Sequence, residues 1–211
     1  MQRVSDPARL ERFLKEAGLT EIAADFPAVL YRCPAGRDIV RQGEALTNLY
    51  VFLKGRAKVV RLMENGRTML HAFYKGVSLL GDLELCRGDL TALSSVRAVT
   101  DAWLIGFELA GRREALLRDP RLLRFMCGEL ADKLEQASAM AAQNLLYPLG
   151  ERLIDYMMKA QPGDVFSESL TGTSELLGVS YRHLLRTLKA LEANGLIERV
   201  PGGFRLTSVG Y

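Results

Sequence analysis

The sequence predicts an α+β chain with an N-terminal β-roll of jelly-roll type over residues 1–118, one long helix over 119–146, and a C-terminal winged helix-turn-helix over 147–211. Three observations carry this expectation. Between Ala28 and Phe107, short runs rich in Val, Leu, Tyr and Phe are cut by glycines at intervals of about ten residues, the spacing of an all-β barrel or sandwich. From Pro120 the apolar period changes to alternating steps of four and three. In the last third, two helix-sized apolar patterns around a glycine are followed at once by a tight hairpin.

Composition bounds the problem without naming a function. The chain has 211 residues, 28 Lys+Arg against 25 Asp+Glu, and 48% hydrophobic residues, an ordinary globular mix rather than a disordered one. Its longest apolar runs, such as Leu49–Leu53, fall far below the roughly 18 residues of a bilayer span, so no membrane partner is expected. The N-terminus lacks the apolar core of a signal peptide, and Cys33, Cys86 and Cys127 are odd in number and widely spaced, which points to reduced thiols in the cytoplasm. A net charge of +3 is too small to name a partner.

Taken in order, the clearest β element is a hairpin: Leu49–Lys54, then Ala57–Met63, then Glu64-Asn65-Gly66-Arg67, then Thr68–Tyr74. Asn-Gly between alternating strands predicts a two-residue turn with φ > 0 at both central positions. Asp119 is a good N-cap and Pro120 suits the first helical position, where a missing N–H costs nothing. Leu123, Cys127, Leu130, Leu134, Ala137 and Ala141 then form a narrow heptad seam, better suited to a partner helix than to a broad core. Tyr147-Pro148 should end or kink this helix. Glu151–Lys159 forms the next one, stopped by Gln161-Pro162-Gly163-Asp164.

Ser169–Lys189 has the pattern of a helix-turn-helix. Ser174 is small enough for a helix crossing, Gly178 permits the turn, and Leu177, Val179 and Leu184 pin the helices together. In the second helix Leu184, Leu188 and Leu191 face inward, while Arg182, Arg186 and Lys189 share the opposite face and no acidic residue intervenes between Val179 and Ala190. Leu196–Val200, Pro201-Gly202-Gly203 and Phe204–Ser208 read as a wing hairpin carrying Arg199 and Arg205. A basic helix alone is most often a solvated face. With the turn glycine, buried leucines and wing attached, it points to double-stranded DNA, with the second helix in the major groove and the wing on phosphates.

These motifs, in this order and at these separations, resemble the CRP/FNR transcriptional regulators over nearly the whole chain. Pro34–Glu44 looks like that family's opening strand and turn, Gly81-Asp82-Leu83-Glu84-Leu85 resembles the start of its nucleotide-phosphate cassette, and Gly178–Ile197 its recognition helix. The resemblance implies a cyclic-nucleotide-binding-like sensor domain and a homodimer reading a near-palindromic operator, with RNA polymerase as a further partner. In the cassette Asp82 holds the ribose-carboxylate position. Ala92 stands where the cyclic-nucleotide binders carry Arg, Leu93 where they carry Ser or Thr, and Ser138 is the base-contacting hydroxyl position on the long helix. A buried phosphate without its Arg is an unpaired anion, so neither cyclic AMP nor cyclic GMP is expected to bind tightly. Leu93 suggests a pocket filled by the chain's own side chains, or one for a less charged, unidentified small-molecule effector.

No cofactor or metal is expected. The cysteines are too scattered for an iron–sulfur cluster, and His71, the sole haem-ligand candidate of the sensor, reads as a half-buried strand residue. Cys127 reads first as a small buried apolar residue, with a seam thiol switch as the alternative. In the recognition helix Ser180 is the N-cap and a phosphate contact. Tyr181, Arg182 and Arg186 are the base-reading residues, and Lys189, Arg199 and Arg205 the phosphate contacts. Many members carry Arg-Glu where this chain has Tyr181-Arg182. Glu accepts from cytosine whereas Arg182 can only donate, so a different half-site is expected. No P-loop, nucleophile elbow or metal-ligand cluster supports an enzyme. The alternatives are a cyclic-nucleotide-responsive regulator with an atypical pocket and a module that senses an effector without binding DNA.

Overall fold

The computed structural model describes residues 1–161 and 163–207. The chain forms two compact units, Met1–Val59 with Ala72–Ala137, and Val60–His71 with the chain from Ser138 onward.

The first unit opens with β1 (Gln2–Val4), α1 (Pro7–Glu16) and α2 (Thr20–Asp25), none of which the glycine-spaced β pattern reveals. Asp6 caps α1 by accepting from the Arg9 amide at 3.0 Å, with Pro7 in the first turn. This is the same Asp-Pro start that Asp119-Pro120 shows. Phe13 is buried and meets the Trp103 ring at 6.1 Å, while the Arg9 guanidinium lies 4.5 Å over that ring.

Nine strands of this region form two sheets. β2 (Ala28–Cys33), β3 (Asp38–Val40), β4 (Asn48–Lys54), β5 (Arg56–Leu62), β6 (Thr68–Lys75) and β7 (Ser78–Leu80) precede a short helix, α3 (Asp82–Arg87). β8 (Ser95–Ala98) and β9 (Ala102–Glu108) follow it. The orders are β1-β2-β9-β4-β7 and β3-β8-β5-β6. Central placement explains the unbroken apolar run of β4: held between β9 and β7, Leu49, Tyr50, Val51 and Phe52 are all buried.

The Asn-Gly hairpin is present, but its turn differs from the two-residue one expected. Within the turn only Gly66 has positive φ (+76°), and among the described residues none other than glycine does. The Gly66 amide donates to Met63 O at 2.9 Å and the Met63 amide to Arg67 O at 2.8 Å. This is a type I turn followed by a glycine bulge, and Asn65 instead accepts the Arg67 amide through Oδ1 at 3.0 Å.

α4 (Arg113–Arg118) leads into α5 (Pro120–Leu146). Asp119 Oδ1 accepts the amides of Arg121 (2.9 Å) and Leu122 (3.0 Å), the predicted cap. Leu122 and Met126 are the buried residues of α5.

In the second unit α6 (Leu149–Ala160) buries Leu153, Ile154, Tyr156 and Met157. β10 (Val165–Phe166), α7 (Leu170–Leu176), α8 (Tyr181–Ala193), β11 (Ile197–Val200) and β12 (Gly203–Leu206) follow. β10, which no sequence signal marks, joins the wing in a three-stranded sheet of order β10-β12-β11. Phe166 is fully buried against the Tyr156 ring at 5.8 Å. Ser208, expected as the last wing residue, lies outside the described residues.

Candidate functional site

The helix-turn-helix is built from local capping. Ser169 Oγ caps α7, and the buried hydroxyls of Thr173 and Ser174 donate to the Ser169 and Thr171 carbonyls at 3.0 and 2.8 Å. Ser174 can therefore sit in the interior without an orphaned polar group. The turn is a Schellman motif: Gly178 has φ +70°, its amide donates to Glu175 O, and that of Val179 to Ser174 O at 2.9 Å. Ser180 then caps α8, accepting the His183 amide at 3.2 Å.

Leu184, Leu188 and Leu191 are buried at 0, 3 and 7% exposure, so the rotational setting of α8 is held by its apolar face. That setting exposes Tyr181, Arg182, Arg186 and Lys189. Among the described residues none of the three cations is ion-paired. At 1.5 Å rise per residue they form a stripe about 10 Å long.

The wing cations stand differently. Arg205 Nη1 pairs with Glu198 Oε1 at 2.9 Å across the β11–β12 register, and the Arg199 guanidinium lies 6.0 Å from the Phe204 ring centre. An exposed pair such as Arg205–Glu198 is worth about 0–1 kcal/mol, little enough for a phosphate to displace.

In the first unit Asp82 and Leu93 are each met by a group that reads as a solvated charge in the sequence. Gly81 has φ +94° and starts α3, which places Asp82 in the interior at 2% exposure. Lys133 of α5 reaches it: Nζ lies 2.6 and 2.7 Å from the two Asp82 oxygens and donates to Leu79 O at 2.7 Å. One turn earlier Glu129 Oε2 accepts the Leu79 amide at 2.9 Å. Burial pushes the Glu129 carboxyl up, with the Leu79 amide and Lys133 opposing. The Tyr74 ring stands 5.7 Å from Lys133 Nζ, and burial with the neighbouring carboxylates drives its phenol well above its ordinary range.

Ala92 is 2% exposed and is tied by its backbone to Glu44 O and the Gly43 amide, both at 2.9 Å. The Leu93 amide donates to Glu84 Oε1 at 2.8 Å. Ser138 is exposed on α5. Sequence reasoning misses Lys133 and Glu129 and gives Glu84, inside the cassette segment, no role of its own. The signal for the first two is a second α5 stripe, Leu122, Met126, Glu129 and Lys133, one residue out of phase with the seam and running from apolar into charged positions.

The seam itself is mostly uncovered among the described residues. Leu123 and Leu130 are half-buried, and Cys127, Leu134, Ala137 and Ala141 are exposed, with Leu134 at 70%. Cys127 is thus a surface thiol in the single chain, not the buried apolar residue expected of it. His71 lies half-buried in β6, where burial, then Arg61, lowers its imidazole. Among the described residues no group of three or more His, Cys, Asp or Glu could hold a metal, and no helix is long and apolar enough to cross a membrane.

Residues 31–119 match the family described as the cyclic nucleotide-binding domain. The regulatory protein YeiL of Escherichia coli O157:H7 is 31% identical over 194 residues, spanning 92% of this chain and 87% of that protein. Among solved structures, the c-di-GMP responsive global regulator CLP of Xanthomonas campestris aligns over 97% of this chain and 100% of that one, with a TM-score of 0.68 at 20% identity. A transcriptional regulator of the CRP/FNR family from Thermus thermophilus aligns over 85% and 94%, with a TM-score of 0.69 at 17% identity. At those identities the two structures establish a shared fold. Together with a relative similar along nearly its whole length, they place the chain in the CRP/FNR family of transcriptional regulators.

Proposed function

We propose that this regulator is a cytoplasmic, sequence-specific DNA-binding homodimer, not an enzyme, that does not answer to a cyclic nucleotide. One observation carries the DNA reading: α8 is capped by Ser180, anchored by three buried leucines, and presents Arg182, Arg186 and Lys189 without an ionic partner among the described residues. Such a stripe fits the major groove, where Arg182 or Arg186 pairs bidentately with guanine and Tyr181 packs on a base edge. Ser180, Lys189, Arg199 and Arg205 take phosphates and set register without reading sequence.

The domains run 1–118 for the sensor, 119–146 for the dimerisation helix and 147–211 for the DNA-binding part, with RNA polymerase as the further protein partner. The seam of Leu123, Cys127, Leu130, Leu134, Ala137 and Ala141, exposed at all but the half-buried Leu123 and Leu130, supports pairing of two α5 helices. Against cyclic nucleotides stand the buried methyl of Ala92 in place of a guanidinium, and a Leu93 amide already given to Glu84.

Selection of bound fragments from a random duplex pool by the purified full chain tests this reading. The expected result is a near-palindromic consensus, with log affinity falling linearly in log salt as counterions are released. Arg182→Ala should relax the preference at one base pair of each half-site, losing about 1–3 kcal/mol of discrimination. An unchanged consensus would reassign that contact, and no enrichment at any salt concentration would refute DNA binding.

A further inference from the structure

The cassette has no unanswered charge. Asp82, deep in the sensor, is met by Lys133, whose three N–H bonds are taken by the two Asp82 oxygens and Leu79 O. The buried Glu84 carboxylate takes the Leu93 amide, a donor that would otherwise be offered to a ligand's anion. Lys133 and Glu129 lie one turn apart on α5 and grip the carbonyl and the amide of the same residue, Leu79, the middle residue of β7. Nothing in the apolar packing of α5 requires this, because Leu122 and Met126 already bury its first turns.

We propose that Lys133 is a built-in ligand: its ammonium occupies a cation site formed by Asp82 and Leu79 O, and so holds α5 in the DNA-binding form with no small molecule present. This rests on the DNA-binding reading above and extends it to regulation. α5 continues unbroken from Lys133 to Leu146, and the regulatory step is carried on this one helix. The site is specific for a primary ammonium. It offers two carboxylate oxygens and one carbonyl within 2.6–2.7 Å, three acceptors for three N–H bonds, beside the face of Tyr74.

Lys133→Ala removes, beyond the β-carbon, a propylammonium fragment, and n-propylammonium chloride is therefore the probe. The full-length variant should melt roughly 10 °C lower, because Asp82 is left buried and unpaired. Propylammonium at tens of millimolar should recover several degrees for Lys133→Ala and none for the wild type. Tetramethylammonium, which has no N–H, should do nothing. If Lys133→Ala does not fold alone, refolding with and without propylammonium reads the same rescue.

The doubly neutral variant Asp82→Asn/Lys133→Met leaves no stranded charge and tests regulation. It should melt close to the wild type but bind the selected DNA about tenfold more weakly, while wild type refolded from urea should bind without added metabolite. An unshifted Lys133→Ala, or rescue by tetramethylammonium as well, overturns the cation site. Wild-type affinity in the double variant, or a refolded wild type that binds only after metabolite is added, overturns the built-in ligand. Should the wild type bind no DNA under any condition, the DNA-binding reading and the regulatory step fall together, and the propylammonium arm still decides the cation site.

Discussion

The wing contains two adjacent glycines that look interchangeable in the sequence, and their replacement by alanine should have different consequences. Gly202 has φ +88° and open space around its missing side chain. Alanine there costs the left-handed strain of a non-glycine residue, about 1–2 kcal/mol. At Gly203 φ is ordinary, but a β-carbon would stand 1.9 Å from Phe166 O and 2.9 Å from its carbonyl carbon. Real contacts begin near 3.0 Å, so β10 must retreat by roughly 1 Å. The retreat strains the Val165↔Arg205 and Phe166↔Phe204 pairs and draws Phe166 off the Tyr156 ring, 5.8 Å away. Overpacking costs about 1–3 kcal/mol and full loss of a buried Phe about 3–5, so Gly203→Ala should destabilise the second unit by about 3 kcal/mol. Urea unfolding followed by far-ultraviolet circular dichroism, with hydrogen exchange at Phe166 and Arg205, measures this. Fluorescence of Trp103 would not serve, because that residue lies on β9. If Gly203→Ala stays within about 0.5 kcal/mol of wild type, or costs less than Gly202→Ala, the reasoning fails.

Other expectations concern the long helix and the cassette. The Asp119 carboxyl is held at about 2, below its ordinary 3.8, chiefly by the Arg121 guanidinium. Its contribution is therefore complete above pH of about 4 and is lost as pH falls toward 2. Asp119→Ala should cost about 1 kcal/mol at neutral pH as a lost cap and flatten that acid limb, with parallel acid limbs as the contrary result. Leu134→Asp, at a position 70% exposed in the single chain, should leave the far-ultraviolet spectrum unchanged and convert the proposed dimer to monomer in sedimentation velocity. An unchanged sedimentation coefficient would move the interface off the seam. Titration calorimetry with cyclic AMP and cyclic GMP should show no heat of binding, and a micromolar complex would sink the self-filled cassette.

What could be read along the chain was carried by signals a few residues long. Asp119-Pro120 starts a helix because a carboxylate can reach amides two and three residues ahead. Gly178 and Ser180 shape the turn through bonds spanning three to five residues. The i, i+4, i+7 leucines of α8 orient it by period alone, and so the fold class and the cationic face of that helix were legible. The hairpin was legible too, but not its turn type, which depends on the φ that Asn65 adopts rather than on the pair of letters.

The helix α1 was missed although Asp6-Pro7 repeats the Asp119-Pro120 start, because no long apolar seam follows it. Tertiary structure alone decided which charges are buried. Lys133 meets Asp82 across 51 residues, and the β-carbon that Gly203 lacks would meet the carbonyl of Phe166. A lysine on a helix reads as solvated until the fold puts a carboxylate beneath it, since the charge of each is tolerable in the interior only when the other is there.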